Sequence, residues 1–434
     1  MDSFLFRDGE LYCEDVLMRE IARTAGTPTF VYSRATLEGH LDRLREAFAP
    51  IDPLICYSVK SCGNLSVLRT LAARGAGMDV VSIGELQRAL EAGVPASRCV
   101  YAGVGKRDDE IAAAIDAGIG LLNVESEAEF ENIARIAAER EKVVRCALRI
   151  NPDVDPKTHR YTSTGKKETK FGVDLERARR FFQLYGRDRF AKLEGLHLHI
   201  GSPIYTVEPY VEALTKTCAL IEELAKDGIE IRSIDLGGGF GADYETAQSP
   251  SARDYAAAIL PLMLPLKARG VEFFLEPGRS IAANAGVLLL RVLYTKDSGE
   301  KHFAICDAGM NALLRPSHYG SFHFIWPVRP QAGFVPTQRS SNMAMEGLRA
   351  QDIVGPLCES GDFLAVDRAM PPLARGDLLA VFTAGAYGMS MASRYNSSPL
   401  PAEVLVSGNR VELIRRRETV DDLVEHERNV TVLL

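Results

Sequence analysis

The sequence predicts an α/β protein that combines a (β/α)8 barrel with a β-rich domain, either a β-barrel or a sandwich. From about residue 54 to about residue 280, short β-rich runs alternate with helix-like segments. This rhythm is typical of βαβ units and a parallel sheet. There are eight such units, the number that closes a barrel. An open doubly wound sheet is the alternative, but the count favours the barrel. After about residue 285, strand-like runs follow one another with few helices between them, which indicates a separate domain.

The eight barrel runs stand out by their apolar and β-branched residues. In chain order they are "LICYSVK", "GMDVVS", "CVYAGV", "LLNVES", "VVRCALRIN", "EGLHLHIG", "SIDLGGG" and "EFFLEPGRS". Segments between them, such as "IGELQRALEAG" and "SEAEFENIARIAAERE", repeat apolar residues at three- and four-residue spacing, which predicts amphipathic helices. After the fifth run, "NPDVDPKTHRYTSTGKKETK" is polar and predicts a long loop over one face.

The predicted β-rich domain is built mainly from segments near the end of the chain. They are "GVLLLRVLYTK", "KHFAICDAG", "DLLAVFT", "AEVLVSG" and "RVELIRRR". Near the start of the chain, "LYCEDVLM" and "TFVYS" are candidates for one more strand. We assign residues 27–285 to the barrel, and residues 1–26 and 286–434 to the β-rich domain.

Composition restricts the class of protein. The apolar fraction of 46% and the charged fraction of 25% are typical of a globular protein. A net charge of −7 argues against a nucleic-acid surface. No apolar run approaches the roughly 20 residues of a membrane helix, and the acidic start does not resemble a signal peptide. The eight cysteines are scattered without a CxxC pair. We therefore expect reduced thiols in a cytoplasmic protein that has no nucleic-acid or membrane partner.

Several chemically reactive residues are predicted to end barrel strands. In a (β/α)8 barrel, chemistry takes place at the C-terminal ends of the strands. The residues at these ends are Lys60, Asn151, His199, Gly237 to Gly239, Glu276 and Arg279. They would all face one mouth, and this convergence is stronger evidence than any one of them alone.

Lys60 and the glycine-rich run suggest two parts of one site. A lysine at a barrel mouth can form a Schiff base if desolvation or a nearby charge makes its amine neutral. The alternative is that Lys60 caps its strand in solvent, as lysines usually do. The bare amides of "DLGGGFG" can bind a phosphate. That run is weak evidence alone, because it lacks the GxGxxG spacing of a dinucleotide site.

"EPGRS" and "HLHIGS" complete the set. The carboxylate of Glu276 could keep a pyridine nitrogen protonated and Arg279 could hold an anion, unless the two form a surface ion pair. His197 and His199 lie on one face of a strand, but no Cys or Asp cluster with ligand spacing accompanies them, so we predict no metal. Another alternative is that these are ordinary core histidines. An imidazole stacked on a flat ring, however, fits a site that also has a Schiff-base lysine, a phosphate cradle and a carboxylate partner for a pyridine nitrogen. Together these groups predict pyridoxal 5′-phosphate (PLP), which absorbs electrons in carbanion chemistry at amino-acid α-carbons.

The order of these motifs resembles a known family. "YSVKSCGN", "HIGS", "GGGFG", "EPGRS", "CESGD" and "GAYG" resemble the alanine-racemase-like barrel decarboxylases, which use PLP. "GMDVVSIGEL", "NPDVDPKTHRYTSTGKKETKFGVD", "DAGMNALLRPSHYGSFH" and "GAYGMSMASRYNSSP" narrow the resemblance to the diaminopimelate decarboxylases. These carboxy-lyases form L-lysine and CO2 from meso-2,6-diaminopimelate, in the last step of bacterial lysine synthesis. The resemblance extends from about residue 27 to the end of the chain.

The resemblance implies a role for each matching residue. Lys60 would be the Schiff-base lysine, His199 would stack on the cofactor ring, and Cys358 would deliver a proton. The cofactor-binding residues would be Lys60, Asp79, His199, Ser202, Gly238, Gly239, Glu276, Pro277, Gly278, Arg279 and Tyr387. The substrate-binding residues would be Arg279, Arg315, Tyr319, Glu359 and Tyr387. Cys358 and Glu359 would come from the partner subunit, so the resemblance also implies a homodimer with shared active sites.

The fold alone leaves the substrate open, because relatives act on ornithine, lysine, arginine or carboxynorspermidine. Diaminopimelate carries a second carboxylate at its far end, and a guanidinium and a hydroxyl could recognise it. Arg315 and Tyr319 in "RPSHY" supply this pair, although a structural ion pair is the alternative for Arg315. A relative that binds PLP without catalysis would be expected to lose Lys60 or Cys358, and both are present.

Overall fold

The computed structural model describes residues 2–156, 158, 170–428, 430 and 431. Most of the predicted polar loop, residues 157 and 159–169, therefore lies outside the described residues. The chain divides into two compact units. The barrel unit is Glu38–Gly241 with Ser249–Ile281, and the β-rich unit is Met1–Leu37, Ala242–Gln248 and Ala282–Leu434. Among the helices of the described part, none is long and apolar enough to cross a membrane.

The barrel unit contains a closed sheet of eight parallel strands. They are Leu54–Ser58, Gly77–Val80, Cys99–Tyr101, Leu121–Val124, Val144–Asn151, Ala191–His197, Ser233–Asp235 and Glu272–Leu275. The first strand pairs with the last, and the fourth pairs with the fifth, so the circle closes. The predicted barrel is thus confirmed, and the open sheet is wrong. A two-residue strand, Val173–Asp174, extends the sheet beside the fifth strand.

Helices follow the strands as the amphipathic segments predict. The longer helices of the barrel region are Arg34–Phe48, Leu65–Ala73, Ile83–Glu91, Asp108–Ala117, Glu127–Glu139, Leu175–Tyr185, Glu208–Lys226 and Ala252–Ala268, and a short one is Arg279–Ala282. Single 3-10 turns occur at Ala49–Ile51, Val59–Ser61 and Ala96–Arg98. Polar side chains such as Asn64, Ser126 and Ser251 accept an N–H of the first turn and so mark where helices begin.

The interior of the barrel changes from apolar to polar along the strands. Cys56, Val100, Leu121, Ala147 and Phe274 form a buried apolar cluster. Side chains two residues further along a strand point to the same face. At four of the five positions stand the polar residues Ser58, Asn123, Arg149 and Glu276. The apolar layer therefore fills the barrel, as layered packing requires, and the next layer brings polar groups to the mouth.

The β-rich unit is built on a nine-stranded sheet and a three-stranded sheet. The larger sheet contains Thr29–Ser33, Gly286–Ser298, Lys301–Cys306, Ile325–Pro327, Arg349–Val354, Phe363–Met370, Leu378–Val381, Ala402–Ser407 and Arg410–Arg415. The smaller sheet contains Phe4–Arg7, Glu10–Cys13 and Val16–Leu17. Helices are Met18–Ala25, Arg315–Tyr319 and Val420–Val424, and 3-10 turns are Met389–Met391, Tyr395–Ser397 and Glu425–Glu427.

The N-terminal strand has a central place in the β-rich unit. Thr29–Ser33 pairs antiparallel with Gly286–Ser298 and parallel with Ala402–Ser407. "TFVYS" therefore supplies the additional strand that was expected from the start of the chain. In the larger sheet, sequence reasoning missed Ile325–Pro327, which is short, and Arg349–Val354 and Phe363–Met370, in which charged residues interrupt the apolar pattern. The core of the unit includes Trp326 and Phe382.

Candidate active site

Lys60 lies at the mouth of the barrel beside a buried carboxylate. It belongs to the single 3-10 turn Val59–Ser61, which directly follows the first strand. Its Nζ donates to Asp79 Oδ2 over 3.1 Å, and the same oxygen accepts from Ser58 Oγ over 2.5 Å. Asp79 is fully buried, whereas 36% of the Lys60 side chain is exposed. The lysine is therefore oriented by a carboxylate and can still be reached by a ligand, which differs from a strand cap in solvent.

Glu276 is the centre of a buried polar cluster in the barrel. Asn123 Nδ2 donates to Glu276 Oε1 over 3.2 Å and to Asp235 Oδ2 over 3.1 Å. His197 Nε2 lies 3.3 Å from Glu276 Oε2, and Gly237 N–H donates to Asp235 Oδ1 over 2.9 Å. Sequence reasoning identified Glu276 but assigned no role to Asn123 or Asp235. Their only signal is a polar residue inside an apolar strand.

The cluster contains more acid groups than the buried site can ionise. Burial, helped by the charge of Asp79, raises the pKa of Glu276 to about 8. Burial and the nearby Glu276 raise the pKa of Asp235 well above its usual range. Burial lowers the pKa of His197 to about 4, so this ring is neutral near pH 7. A cationic N–H placed against Glu276 would therefore be stabilised, which fits the protonated ring nitrogen of PLP.

The glycine-rich turn after the seventh strand forms a cradle of bare backbone. A Cβ added to Gly238 would lie 2.3 Å from the carbonyl oxygen of Glu276, and one added to Gly239 would lie 2.4 Å from that of Gly201. Gly239 also has φ +98°, which side chains disfavour. The Tyr210 hydroxyl donates to the carbonyl of Gly238 over 2.9 Å and holds the turn. Only glycine is compatible with this geometry, and the absence of side chains lets a phosphate approach the backbone of the turn closely.

The residues around the cradle include the remaining predicted phosphate ligands. Arg279 is buried, and its Nε donates to Ser202 Oγ over 3.1 Å. A Cβ on Gly278 would lie 2.8 Å from Cβ of Ser58, and the carbonyl of Pro277 accepts the N–H of Ser58 over 3.1 Å. The "EPGR" turn therefore packs directly against the end of the first strand, and it brings the guanidinium of Arg279 beside Ser202.

His199 lies just beyond the sixth strand and contacts the glycine turn. Its Nδ1 accepts the N–H of Gly238 over 3.3 Å. Burial, reinforced by the positive charges of Arg149 and Lys60, lowers the pKa of His199 well below its usual range. The neutral imidazole is thus fixed at the mouth, which is compatible with stacking on an aromatic ring.

Arg149 and Glu125 form a buried ion pair that sequence reasoning missed. Arg149 Nη1 donates to Glu125 Oε1 over 2.8 Å, and Glu125 Oε2 accepts the N–H of Gly172 over 2.8 Å. Arg149 Nη2 also reaches the carbonyl of His199 over 3.4 Å. The pair connects the fourth, fifth and sixth strand ends. It was overlooked because "VVRCALRIN" and "LLNVES" read as ordinary strands.

In the β-rich unit, Arg315 lies among aromatic rings. Its Cζ is 5.4 Å from the ring centre of Tyr244, 5.7 Å from that of Tyr319 and 5.9 Å from that of Tyr387. Its Nη2 donates to Ser321 Oγ over 3.2 Å, and the residue is buried. Three predicted substrate-binding residues thus come together here. Tyr244 was not predicted, since it lies far from "RPSHY" in the sequence.

Cys358 and Glu359 lie on an exposed turn of the same unit. The N–H of Cys358 donates to Asn396 Oδ1 over 3.1 Å, and the thiol-bearing residue is exposed. Asp362 anchors the turn, because its two oxygens accept the N–H groups of Leu357 and Met310, each over 2.7 Å. The turn therefore presents a free thiol and a carboxylate side by side.

Comparison with known proteins agrees with this chemistry. Residues 34–283 match the family described as "Pyridoxal-dependent decarboxylase, pyridoxal binding domain". A diaminopimelate decarboxylase of Aquifex aeolicus is 45% identical over 97% of this chain and 96% of its own length. The crystal structure of diaminopimelate decarboxylase from Helicobacter pylori complexed with L-lysine is 40% identical, has a TM-score of 0.87, and aligns over 94% of this chain and 99% of the other. The corresponding enzyme from M. jannaschii in co-complex with L-lysine is 36% identical, with a TM-score of 0.91 and coverages of 99% and 98%.

The similarity covers both units and every motif that first indicated PLP. The identity and coverage are far above what a shared fold alone would produce. The chain belongs to the pyridoxal-dependent decarboxylases and, within them, to the diaminopimelate decarboxylase family.

Proposed function

We propose that this protein is a PLP-dependent carboxy-lyase that converts meso-2,6-diaminopimelate to L-lysine and CO2. The observation that carries the proposal is the arrangement at the barrel mouth. There Lys60 is paired with Asp79, Glu276 is a buried acid with a raised pKa, and a glycine turn presents backbone without side chains. An amine, an acid and an anion cradle are the three groups that PLP requires.

The proposed PLP ligands act on different parts of the cofactor. Lys60 would hold it covalently, Asp79 would orient Lys60, and Glu276 would accept the ring N–H. The phosphate would lie against Ser202, Gly238, Gly239, Pro277, Gly278 and Arg279. His199 would lie flat against the ring, and Tyr387 would complete the site. When bound, PLP supplies a ring that takes up the electron pair left on the α-carbon as CO2 departs.

We further propose that Cys358 donates the proton that replaces CO2. Its thiol is exposed on a turn that Asp362 anchors, so it is free to meet a substrate. Glu359, next to it, would bind the distal ammonium of the substrate. A thiol and a carboxylate in adjacent positions can serve both ends of one small diamino acid.

Substrate choice would depend on Arg315 and Tyr319. The D-configured centre of diaminopimelate would react, while the distal carboxylate would bind Arg315, Tyr319 and Arg279. Lysine, ornithine and other basic amino acids lack this carboxylate and would leave buried donors without an acceptor. They are therefore the alternative substrates against which the proposal is tested.

The active unit would be a homodimer in which Cys358 and Glu359 serve the partner's barrel, as the family resemblance implies. The cytoplasmic location and the domain boundaries at residues 27 and 285 also remain predictions of the sequence.

A panel of diamino acids tests the proposal. CO2 release is measured with added PLP for meso-diaminopimelate, lysine, ornithine and arginine, with Lys60→Ala as the inactive control. We expect release from meso-diaminopimelate and formation of L-lysine. A preference for lysine or ornithine would reduce the assignment to a basic amino-acid decarboxylase. If no substrate released CO2, the protein would be a PLP-binding relative without catalysis.

A further inference from the structure

The buried cluster around Glu276 determines which acid group carries the charge that faces PLP. We propose that Asp235 is a positioning residue that keeps its proton in the working enzyme, while Asn123 and His197 hold Glu276 as the ionised partner. Asp235 would thus donate a hydrogen bond to Glu276 and prevent the two acids from competing for one cation. This inference rests on the proposed function, since it concerns the carboxylate offered to the cofactor ring.

The geometry allows only one of these two acids to ionise easily. Asp235 and Glu276 are both buried, and oxygens from both lie with a His197 nitrogen within 4.8 Å of one another. The amide of Asn123 bridges them over 3.1 and 3.2 Å. Two carboxyl groups so close in a buried site share a proton, because mutual repulsion opposes the second negative charge.

Position in the barrel indicates that Asp235 keeps the proton. Asp235 lies opposite Phe274 in the sheet register. Glu276 follows Phe274 by two residues, so it lies closer to the mouth than Asp235 does. The cations there, Lys60 and Arg149, lower the pKa of Glu276 and partly oppose the effect of burial. For Asp235, burial and the charge of Glu276 act together to raise the pKa. The two environments therefore favour ionisation of Glu276 first.

The neighbours of the pair fit this assignment. His197 is neutral near pH 7, so a proton on Nε2 can be donated to an ionised Glu276 Oε2 over 3.3 Å. Asn123 donates to both acids with one nitrogen. The charged or titratable groups that surround the pair on other elements are Cys56, Lys60, Asp79, Glu125 and Arg149.

The test compares an amide with a methyl group at position 235. Asp235→Asn replaces the acid by a neutral group of similar shape that still donates to Glu276, but its NH2 cannot accept a hydrogen bond as the second Asp235 oxygen does. We therefore expect the apparent Kd for PLP to rise by only about threefold, less than in the two variants that follow. Asp235→Ala removes the donor, and Glu276→Gln removes the charge. We expect each to weaken PLP binding about tenfold to a hundredfold, since hydrogen bonds to charged groups are the stronger ones. Ser233→Ala, in the same strand, is the matched control that should leave binding unchanged.

Infrared spectroscopy of the holoenzyme at neutral pH gives the second readout. Glu85, whose pKa burial raises to about 7, also contributes protonated carboxyl absorption near neutral pH, so the test uses difference spectra. The spectrum of wild type minus Asp235→Asn should contain the C=O stretch of one buried protonated carboxyl, which the spectrum of wild type minus Ser233→Ala should lack. Absence of this band from the first difference spectrum would overturn the assignment. So would PLP binding by Asp235→Asn as weak as that of Glu276→Gln, or failure of this isosteric variant to fold. Neither readout uses a substrate, so failure here would leave the CO2 assay and the proposed function intact.

Discussion

At the scale of single residues, Arg315 combines a fixed position with a buried charge. The rings of Tyr244, Tyr319 and Tyr387 surround its guanidinium at 5.4 to 5.9 Å. Aromatic faces attract a cation while excluding water from it. A ligand carboxylate that reached Arg315 would therefore meet a donor that is already oriented and only weakly hydrated.

Replacing Arg315 by alanine should damage turnover of diaminopimelate far more than any residual turnover of lysine. A charge-assisted hydrogen bond contributes about 1.5–3 kcal/mol, so kcat/KM for diaminopimelate should fall roughly tenfold to a hundredfold. Steady-state kinetics with both substrates measure the difference. Arg368→Ala is the matched control, because Arg368 packs on the ring of Phe322 in the same unit. Equal losses for both substrates in Arg315→Ala would contradict recognition of the distal carboxylate.

Lys60 should carry the cofactor. Its amine is paired with Asp79 yet 36% of its side chain is exposed, so it can react with an aldehyde. Borohydride treatment of the holoenzyme should bleach the visible absorbance and leave a stable label on Lys60, located by peptide mass spectrometry. Lys106, which is almost fully buried, is the internal control that should stay unlabelled. A label on any other lysine would show that the site is misassigned.

At the scale of elements, Lys106 connects neighbouring strand ends of the barrel. Its Nζ donates to the carbonyls of Gly103 and Asn123 over 2.8 and 2.7 Å, and to Glu129 Oε1 over 2.7 Å. Glu129 lies in the first turn of the helix Glu127–Glu139. One ammonium group thereby joins the loop after the third strand, the fourth strand and the following helix.

Lys106→Met should destabilise the protein strongly, because it leaves the carboxylate of Glu129 without its cation. Breaking a buried pair in this way costs about 3–5 kcal/mol. The control is Lys142→Met, which breaks an exposed pair with Asp116, where we expect at most about 1 kcal/mol. Urea unfolding at one fixed PLP concentration measures both changes. Similar losses in the two variants would show that burial of Lys106 has no energetic importance.

At the scale of the whole molecule, we expect catalytic groups from two subunits to form each site. Cys358 and Glu359 lie in the β-rich unit, whereas Lys60 and Glu276 lie in the barrel unit. The family resemblance implies that the two pairs would serve one site from different subunits. A two-fold dimer would contain two such sites, each with one contribution from either chain.

Mixed dimers test this arrangement. Lys60→Ala and Cys358→Ala proteins should each be inactive, but random mixing makes half of the dimers hybrids, each with one intact site. Activity should therefore recover to about a quarter of the wild-type value. Mixing Lys60→Ala with His199→Ala is the control, since both changes lie in the same barrel and no intact site can form. Absence of recovery after subunit exchange has been verified by mass spectrometry would exclude shared sites.

The sequence by itself determined the barrel, the cofactor and the family. Strands and helices alternate with local periods, and Lys60, the glycine turn and Glu276 directly follow strands, so their common mouth could be predicted. These conclusions depend on residues that are close together in the sequence, so local sequence patterns are sufficient to establish them.

Only the tertiary structure decided what surrounds those residues. Asn123 reaches Asp235 across 112 positions of sequence and Glu276 across 153, because closure of the barrel brings the fourth, seventh and eighth strands to one interior. The rings of Tyr244 and Tyr387 come to Arg315 in the same way, from distant segments. Hydrogen bonds and burial shift pKa values according to distance in space, which no local pattern contains.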